Sequence, residues 1–184
     1  MSTAPETITP QTSLQKVLEV YPGAQRALFK RYHIGGCSSC AFQPTETLEE
    51  LCRRNSAIDV QEMIDHLRTS HEQDEQMQIL PRELAERMQD PSIKLLDIRA
   101  REEWDAVRIA GATRMSQETM QEILGKWPRE GLMVIYDHCG TRSMDAAAYF
   151  QGHGFKNVRC LRGGIDAWSA EVDASVARYQ LEQP

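Results

Sequence analysis

Two short segments place cysteines beside residues that could make them reactive. Residues 137–143 read Asp-His-Cys-Gly-Thr-Arg-Ser, so that one thiol, Cys139, stands three positions before a permanent cation, Arg142. The other segment holds Cys37 and Cys40 as a C-x-x-C pair. A thiolate near positive charge is a nucleophile, and a C-x-x-C pair can cycle between dithiol and disulfide. Both segments therefore predict sulfur or redox chemistry.

The first segment lies between a predicted strand at 132–136 and a predicted helix at 143–151. A turn that enters a helix directs backbone N–H groups inward and adds the positive end of the helix dipole, which together form a cradle for an anion. A thiolate or persulfide would be stabilised there. The predicted site has Cys139 and Arg142 as catalytic residues, and Asp137, His138, Gly140, Thr141 and Ser143 as the surrounding loop.

The chain is long enough for two domains, and its pattern changes near residue 77. Residues 1–11 are rich in Thr, Pro and Ser and predict a flexible tail. Residues 12–70 predict a small all-α domain, and residues 71–78 predict a linker. From 79 to 180, short apolar strands alternate with helices, which predicts an α/β domain with a parallel sheet and helices on both faces.

Local signals support these elements. Ser13 is a predicted helix cap, and Thr47 with Glu50 forms a capping-box pattern before another helix. Pro22-Gly23 separates the first helix from a second at 24–32. The predicted strands of the α/β domain are 93–98, 132–136 and 158–161.

Composition excludes several classes of protein. The net charge is −6 and no basic stripe is present, so we expect no nucleic-acid partner. No apolar run reaches the length of a membrane span, and the first ten residues lack the pattern of a secretory signal, so we expect a cytoplasmic protein without a membrane partner. The odd count of cysteines, 5, argues against a disulfide scaffold. We expect no cofactor.

Three motifs in the second half of the chain resemble those of the rhodanese-like sulfurtransferase family, over about residues 78–179. They are Leu96-Asp-Ile-Arg99 with Glu103-Trp104 and Ile109-Ala-Gly-Ala112, then Gly140-Thr-Arg142-Ser143, then Leu161-Arg-Gly-Gly-Ile-Asp-Ala-Trp168. The resemblance implies a fold of this type and transfer of sulfane sulfur through a cysteine persulfide. It also implies a catalytic cysteine five residues before the loop arginine, and that position holds Asp137. Arg108 is a smaller departure, since the family usually has histidine there.

Three interpretations of the loop stay open. Cys139 could be the nucleophile in a shifted geometry, the domain could be a catalytically inactive binding or redox-sensing module, or Cys139 could line a pocket while chemistry occurs elsewhere. Our leading hypothesis is a sulfurtransferase whose donor is thiosulfate or a small-molecule or protein persulfide, and whose acceptor is a thiol or cyanide. Arg99 is expected to form a structural ion pair with Asp97 or Glu103, and Cys160 is expected to pack in a core.

The N-terminal segment resembles a small helical redox-disulfide family associated with hybrid-cluster proteins, over about residues 8–67. The resemblance implies a redox or sulfur-relay role for Cys37 and Cys40. Structural cysteines are a second interpretation. A third is a metal or cluster site built from His33, Cys37, Cys40 and Cys52, which are ligand types that zinc or an iron–sulfur cluster accepts.

Overall fold

The computed structural model describes residues 7–35, 43–56 and 58–179. The chain divides into two compact units, Met1–Gln76 and Met77–Pro184. The first unit has one hydrophobic core, and the second has a core on each face of its sheet. None of the helices in the described residues is long and apolar enough to cross a membrane.

The first unit is helical. Its described helices are α1 (Leu14–Val20), α2 (Ala24–Tyr32), α3 (Leu48–Arg54) and α4 (Val60–Gln76). Ser13 caps α1 by accepting a hydrogen bond from the N–H of Lys16, and Thr47 and Glu50 form the predicted capping box at α3. These helix starts are predictable from local sequence, because a capping side chain bonds amides only two or three residues away.

Helix α4 is longer than the sequence pattern indicates. It continues to Gln76 and includes residues 71–76, so the prediction of a linker over these residues is wrong. The reason is tertiary: the ring of His71 packs on Tyr21 with centroids 4.6 Å apart, and Asp74 forms an ion pair with Arg26. These contacts with α2 and the turn before it stabilise a polar stretch that has no apolar pattern of its own.

The second unit is an α/β domain, as predicted. In chain order its elements are β1 (Gln78–Ile79), α5 (Pro81–Arg87), β2 (Lys94–Asp97), α6 (Arg101–Ala106), β3 (Thr113–Arg114), α7 (Gln117–Lys126), β4 (Met133–Tyr136), α8 (Arg142–Gly152), β5 (Val158–Leu161) and α9 (Gly164–Glu171). The strands form one parallel sheet in the order β1-β5-β4-β2-β3. The sequence does not predict strands β1 and β3, because two residues each carry no periodic signal.

Central strand β4 contributes to both cores. Val134 and Tyr136 pack on the face covered by α5 and α9, while Met133 and Ile135 pack on the face covered by α7 and α8. All four are buried. This is why the strand has a continuous apolar run instead of an alternating one. Burial on both faces fixes β4 firmly and leaves its carboxyl end at the middle of the sheet edge.

Candidate functional site

The loop after β4 brings together the residues that the sequence predicted as a site. Strand β4 ends at Tyr136 and α8 begins at Arg142, with residues 137–141 between them. Strands β2 and β5 lie parallel to β4 on either side, so three carboxyl ends meet at this edge. Ligands of open α/β sheets bind at such edges. The geometry of this loop therefore decides what chemistry the domain can perform.

The Asp137 side chain is turned into the loop. It is 2% exposed, and its carboxylate accepts hydrogen bonds from the N–H of Gly140 at 2.7 Å and from the N–H of Arg142 at 2.8 Å. Bonds of this kind, to an ionised acceptor, are short and strong. Two amides of the predicted anion cradle are thus bonded to a carboxylate of the same loop.

The Cys139 side chain is exposed. Its Sγ lies 3.5 Å from Oγ1 of Thr141, whereas the amides of Gly140 and Arg142 are bonded to Asp137. The side chain of Arg142 is also exposed, so a permanent positive charge lies on the same loop. The Cys139 thiol is therefore accessible from solvent. Ser143, at the start of α8, is buried, and within the described part of the chain its Oγ has no hydrogen-bond partner.

The start of α9 holds the loop from the other side. The N–H of Ile165 donates to the carbonyl of Asp137 at 3.0 Å, and the N–H of Asp166 donates to the carbonyl of His138 at 3.1 Å. Gly164 lies beside them with φ of +60°, and a Cβ there would sit 2.4 Å from the carbonyl oxygen of His138. Only glycine permits this approach. Hydrogen bonds from α9 therefore hold the backbone of the two residues that precede Cys139.

A C-terminal residue packs on the same loop. The ring of Tyr179 lies against that of His138, with centroids 4.5 Å apart, and Nδ1 of His138 is buried without a partner among the described residues. The Tyr179 hydroxyl accepts a hydrogen bond from Nη1 of Arg99 at 2.8 Å and donates to Oε1 of Glu103 at 2.6 Å. Burial raises the pKa of Tyr179 to about 12, so the hydroxyl keeps its proton. Tyr179 thereby joins the loop after β2 to the loop after β4.

Arg99 and Asp97 form the predicted structural ion pair. Their side chains are 1% and 0% exposed, and Nη2 of Arg99 lies 2.6 Å from Oδ2 of Asp97. Arg99 also donates to the carbonyl of Val107 at 2.7 Å. Burial opposes the charge, but the hydrogen bonds to Asp97 and Tyr179 outweigh it and raise the pKa of the guanidinium group. Arg99 is thus a structural cation beneath the site.

A family model described as "Rhodanese-like domain" matches residues 80–171, which is half of the chain. The chain belongs to the rhodanese-like family. The α/β unit is accordingly the rhodanese-like domain of this protein, and the match contains the loop 137–141 and the two flanking strands.

Two curated relatives of the rhodanese-like domain carry names that refer to sulfur transfer. The probable adenylyltransferase/sulfurtransferase MoeZ of Mycobacterium tuberculosis is 34% identical over 104 residues, which cover 55% of this chain and 26% of that protein. The thiosulfate sulfurtransferase GlpE of Coxiella burnetii is 31% identical over 85 residues, which cover 46% of this chain and 79% of that protein. The chain therefore spans only a quarter of the first relative but most of the second.

Solved structures of proteins with related names are among those that match part of this chain. A rhodanese-related protein from Thermoplasma volcanium is 24% identical, with 52% of this chain and 92% of that chain covered and a TM-score of 0.42. The 3-mercaptopyruvate sulfotransferase SseA of Escherichia coli is 20% identical, with 59% and 52% covered and a TM-score of 0.46.

Two features of this rhodanese-like domain depart from the motif that the resemblance implied. Asp137 stands five residues before Arg142, where the resemblance assigns the catalytic cysteine, and its carboxylate bonds the loop amides. Arg108 is exposed, with its guanidinium group over the ring of Trp104 at 5.2 Å. The role of Cys139 as a replacement nucleophile stays a prediction.

The cysteines outside the rhodanese-like loop fall into two groups. Cys37 and Cys40 lie outside the described residues, so their redox or relay role stays a prediction. Cys52 is buried in the first unit, with Sγ 3.5 Å from Sδ of Met63, and burial raises its pKa to about 11. Cys160 is buried in β5, as expected.

Two of the four proposed N-terminal metal ligands, Cys37 and Cys40, lie outside the described residues, so the metal site stays a prediction. His33 is an exposed residue with φ of 57° at the end of α2, whereas Cys52 is enclosed in the core. In residues 7–35, 43–56 and 58–179, no group of three or more His, Cys, Asp or Glu side chains is placed to hold a metal ion.

Tyr179 is the member of the site that sequence reasoning missed. It bonds to Arg99, 80 positions earlier in the chain, and to Glu103, 76 positions earlier. No local spacing connects residues so far apart. Its one signal in the sequence is an aromatic residue at the end of the resemblance to the family.

Proposed function

We propose that the rhodanese-like domain is a sulfurtransferase that accepts sulfane sulfur on Cys139. The observation that carries the proposal is an exposed thiol on a loop that fixed backbone bonds hold at the carboxyl edge of the sheet. Membership of a family whose curated relatives include a thiosulfate sulfurtransferase supports it. The partners are a small-molecule or protein sulfur donor and a thiol or cyanide acceptor.

The proposed reaction has two steps. The Cys139 thiolate attacks the outer sulfur of the donor, the donor's sulfur–sulfur or sulfur–sulfonate bond breaks, and the leaving group departs with the electron pair. A nucleophilic acceptor then attacks the outer sulfur of the Cys139 persulfide, and the thiolate is regenerated. Arg142 contributes positive charge on the loop in both steps, since each one moves negative charge onto a sulfur atom.

The N-terminal pair extends this proposal. A thiolate of Cys37 or Cys40 would take the outer sulfur from Cys139 as a persulfide. The second thiolate of the pair would then attack the inner sulfur, which forms the Cys37–Cys40 disulfide and releases hydrosulfide. Such a pair acts either as a relay or as a reductant of the Cys139 persulfide.

Mass spectrometry of the full chain tests the proposal. Trypsin cleaves after Arg129 and Arg142, so the peptide 130–142 contains Cys139 as its single cysteine. After incubation with an organic persulfide, we expect this peptide to gain one sulfur atom, and we expect cyanide to remove it as thiocyanate. Cys139→Ser should abolish both, whereas Cys160→Ala, which changes a buried cysteine, should retain both. Equal thiocyanate formation by Cys139→Ser and wild type would refute the role of Cys139.

A second candidate function is a catalytically inactive binding or redox-sensing module. The hydrogen bonds of Asp137 favour it, because they use amides that would otherwise stabilise an anionic intermediate. In that case no donor adds sulfur to Cys139, and Cys37 and Cys40 form a reversible disulfide. Alkylation of the chain with and without prior reduction measures that disulfide directly.

A further inference from the structure

The rhodanese-like loop carries its own anion. The Asp137 carboxylate accepts the N–H groups of Gly140 and Arg142 at 2.7 and 2.8 Å and is 2% exposed. A donor with an oxyanion attached directly to its sulfane sulfur would need amide donors of this loop for that group. It would meet a negative charge where two of those donors point. Like charges at short range in a shielded site repel, and the occupied N–H groups offer no compensation.

The exposed thiol has a different requirement. The Sγ of Cys139 lies beside Thr141 on the solvent side of the loop, and Arg142 is exposed nearby in the sequence. A persulfide of an organic thiol can react with this sulfur without any anion cradle, because the atom bonded to its sulfane sulfur is an uncharged divalent sulfur that carries no oxyanion. The leaving thiolate departs into solvent near a cation.

We propose that Asp137 is a specificity-determining residue that disfavours thiosulfate and makes organic persulfides the preferred sulfur donors of Cys139. This inference rests on the proposed function and names its substrate class. The sequence position that departs from the family motif is thereby assigned a role in donor choice.

Both candidate reactions balance, so specificity alone separates them. With an organic persulfide, the Cys139 thiolate and R–S–SH give Cys139–S–SH and R–S⁻. With thiosulfate, the thiolate and the thiosulfate dianion give the Cys139 persulfide anion and sulfite. In each case one sulfur–sulfur bond forms and one breaks, with no external oxidant or reductant. Only the second reaction requires a sulfonate group to lie against the loop.

The test compares two donors on the full chain: thiosulfate and the freshly generated persulfide of 2-mercaptoethanol. The rate of sulfur addition to Cys139 is divided by the rate for a synthetic peptide of residues 130–142, since the donors differ in intrinsic reactivity. We expect the normalised rate with thiosulfate to be lower than that with the persulfide by about tenfold or more, equivalent to about 1.4 kcal/mol. Equal normalised rates in the wild type would overturn the inference and leave the proposed function intact.

Two variants test whether Asp137 causes the difference in rate between the two donors. Asp137→Ala removes the internal anion and releases both amides, so the normalised thiosulfate rate should rise about tenfold relative to the normalised persulfide rate. Asp145→Ala is the matched control, because it removes an exposed carboxylate from the first turn of α8 and leaves the Asp137 bonds in place. Both of its rates should equal those of the wild type.

The remaining outcomes are decisive. A folded Asp137→Ala variant with an unchanged thiosulfate rate would overturn the inference, as would an equal rise in Asp145→Ala. If Asp137→Ala does not fold, as judged by circular dichroism, the wild-type comparison decides. Transfer from neither donor to Cys139 would overturn the proposed function, and this inference with it.

Discussion

The ion pair beneath the site offers the sharpest test of the structure. Arg99 bonds to both carboxylate oxygens of Asp97, at 3.0 Å through Nε to Oδ1 and at 2.6 Å through Nη2 to Oδ2. It also donates to the carbonyl of Val107 and to the hydroxyl of Tyr179. Substituting Arg99→Leu removes all of these bonds and leaves the Asp97 carboxylate, 0% exposed, bonded to the main-chain N–H of residue 99.

The burial of the Arg99–Asp97 pair determines how much stability Arg99→Leu removes. Removing one partner of a buried ion pair costs about 3–5 kcal/mol, because the other charge is left uncompensated away from water. A domain of this size has a total stability of about 5–15 kcal/mol. We therefore expect Arg99→Leu to lower the free energy of unfolding of the rhodanese-like domain by about 3–5 kcal/mol, a large share of the total.

Urea unfolding followed by tryptophan fluorescence measures this change. The 3 tryptophans, Trp104, Trp127 and Trp168, all lie in the second unit, so the signal reports that unit alone. The control is Arg87→Leu, which breaks an exposed pair with Glu83 whose side chains are 54% and 43% exposed. We expect that loss to be below about 0.5 kcal/mol.

A double variant separates the buried charge from the lost packing. Adding Asp97→Asn to Arg99→Leu removes the uncompensated carboxylate, and we expect it to recover at least about 1 kcal/mol of the loss. The reasoning is refuted if Arg99→Leu costs less than about 1 kcal/mol with an unchanged denaturant slope, or if the double variant is less stable than the single one.

Three further predictions concern the loop and the cysteines. Asp137→Cys places a thiol at the loop amides, and these should lower the pKa of that thiol and produce or increase thiosulfate:cyanide activity. No rise in activity in a folded variant would contradict the assignment of position 137 as the catalytic cysteine position of the family. Gly164→Ala places a side chain at positive φ against the carbonyl of His138, so it should lower the free energy of urea unfolding by more than about 1 kcal/mol and speed the alkylation of Cys139. Unchanged stability would count against the close approach of α9 to the loop. Because burial raises the pKa of Cys52 to about 11, Cys52 should resist a thiol reagent at pH 8 while the exposed Cys139 reacts at once. The stability that the neutral Cys52 thiol contributes should be lost as pH rises from about 9 to about 11, which a plot of the free energy of unfolding against pH measures.

Much of the fold was predictable because its signals are local. Ser13, Thr47 and Glu50 bond amides within three residues of themselves, so their spacing alone predicted two helix starts. The apolar run at β4 predicted a strand, and the alternation of such runs with helices predicted a parallel sheet with helices on both faces. The loop 137–143 was likewise predicted as the site from residue types and from its place between a strand and a helix.

The remaining features depend on contacts between distant parts of the chain. Strands β1 and β3 exist because β5 and β2 pair with them, and the end of α4 is held by Tyr21 and Arg26. A two-residue strand or a polar helical turn has no periodicity that could predict it.

The sequence by itself indicated the family and the α/β layout, and it led to the prediction that the loop 137–143 carries the chemistry. Only the tertiary structure decided which side chain of that loop faces its amides. The Asp137 carboxylate accepts hydrogen bonds from two of them, and Cys139 is exposed. The turn into α8 directs these amides, bonds from α9 hold two loop carbonyls, and Tyr179 packs on His138 while it bonds to Arg99, 80 positions away. Residue types name the groups available to a site, but the folded backbone determines which of them meet.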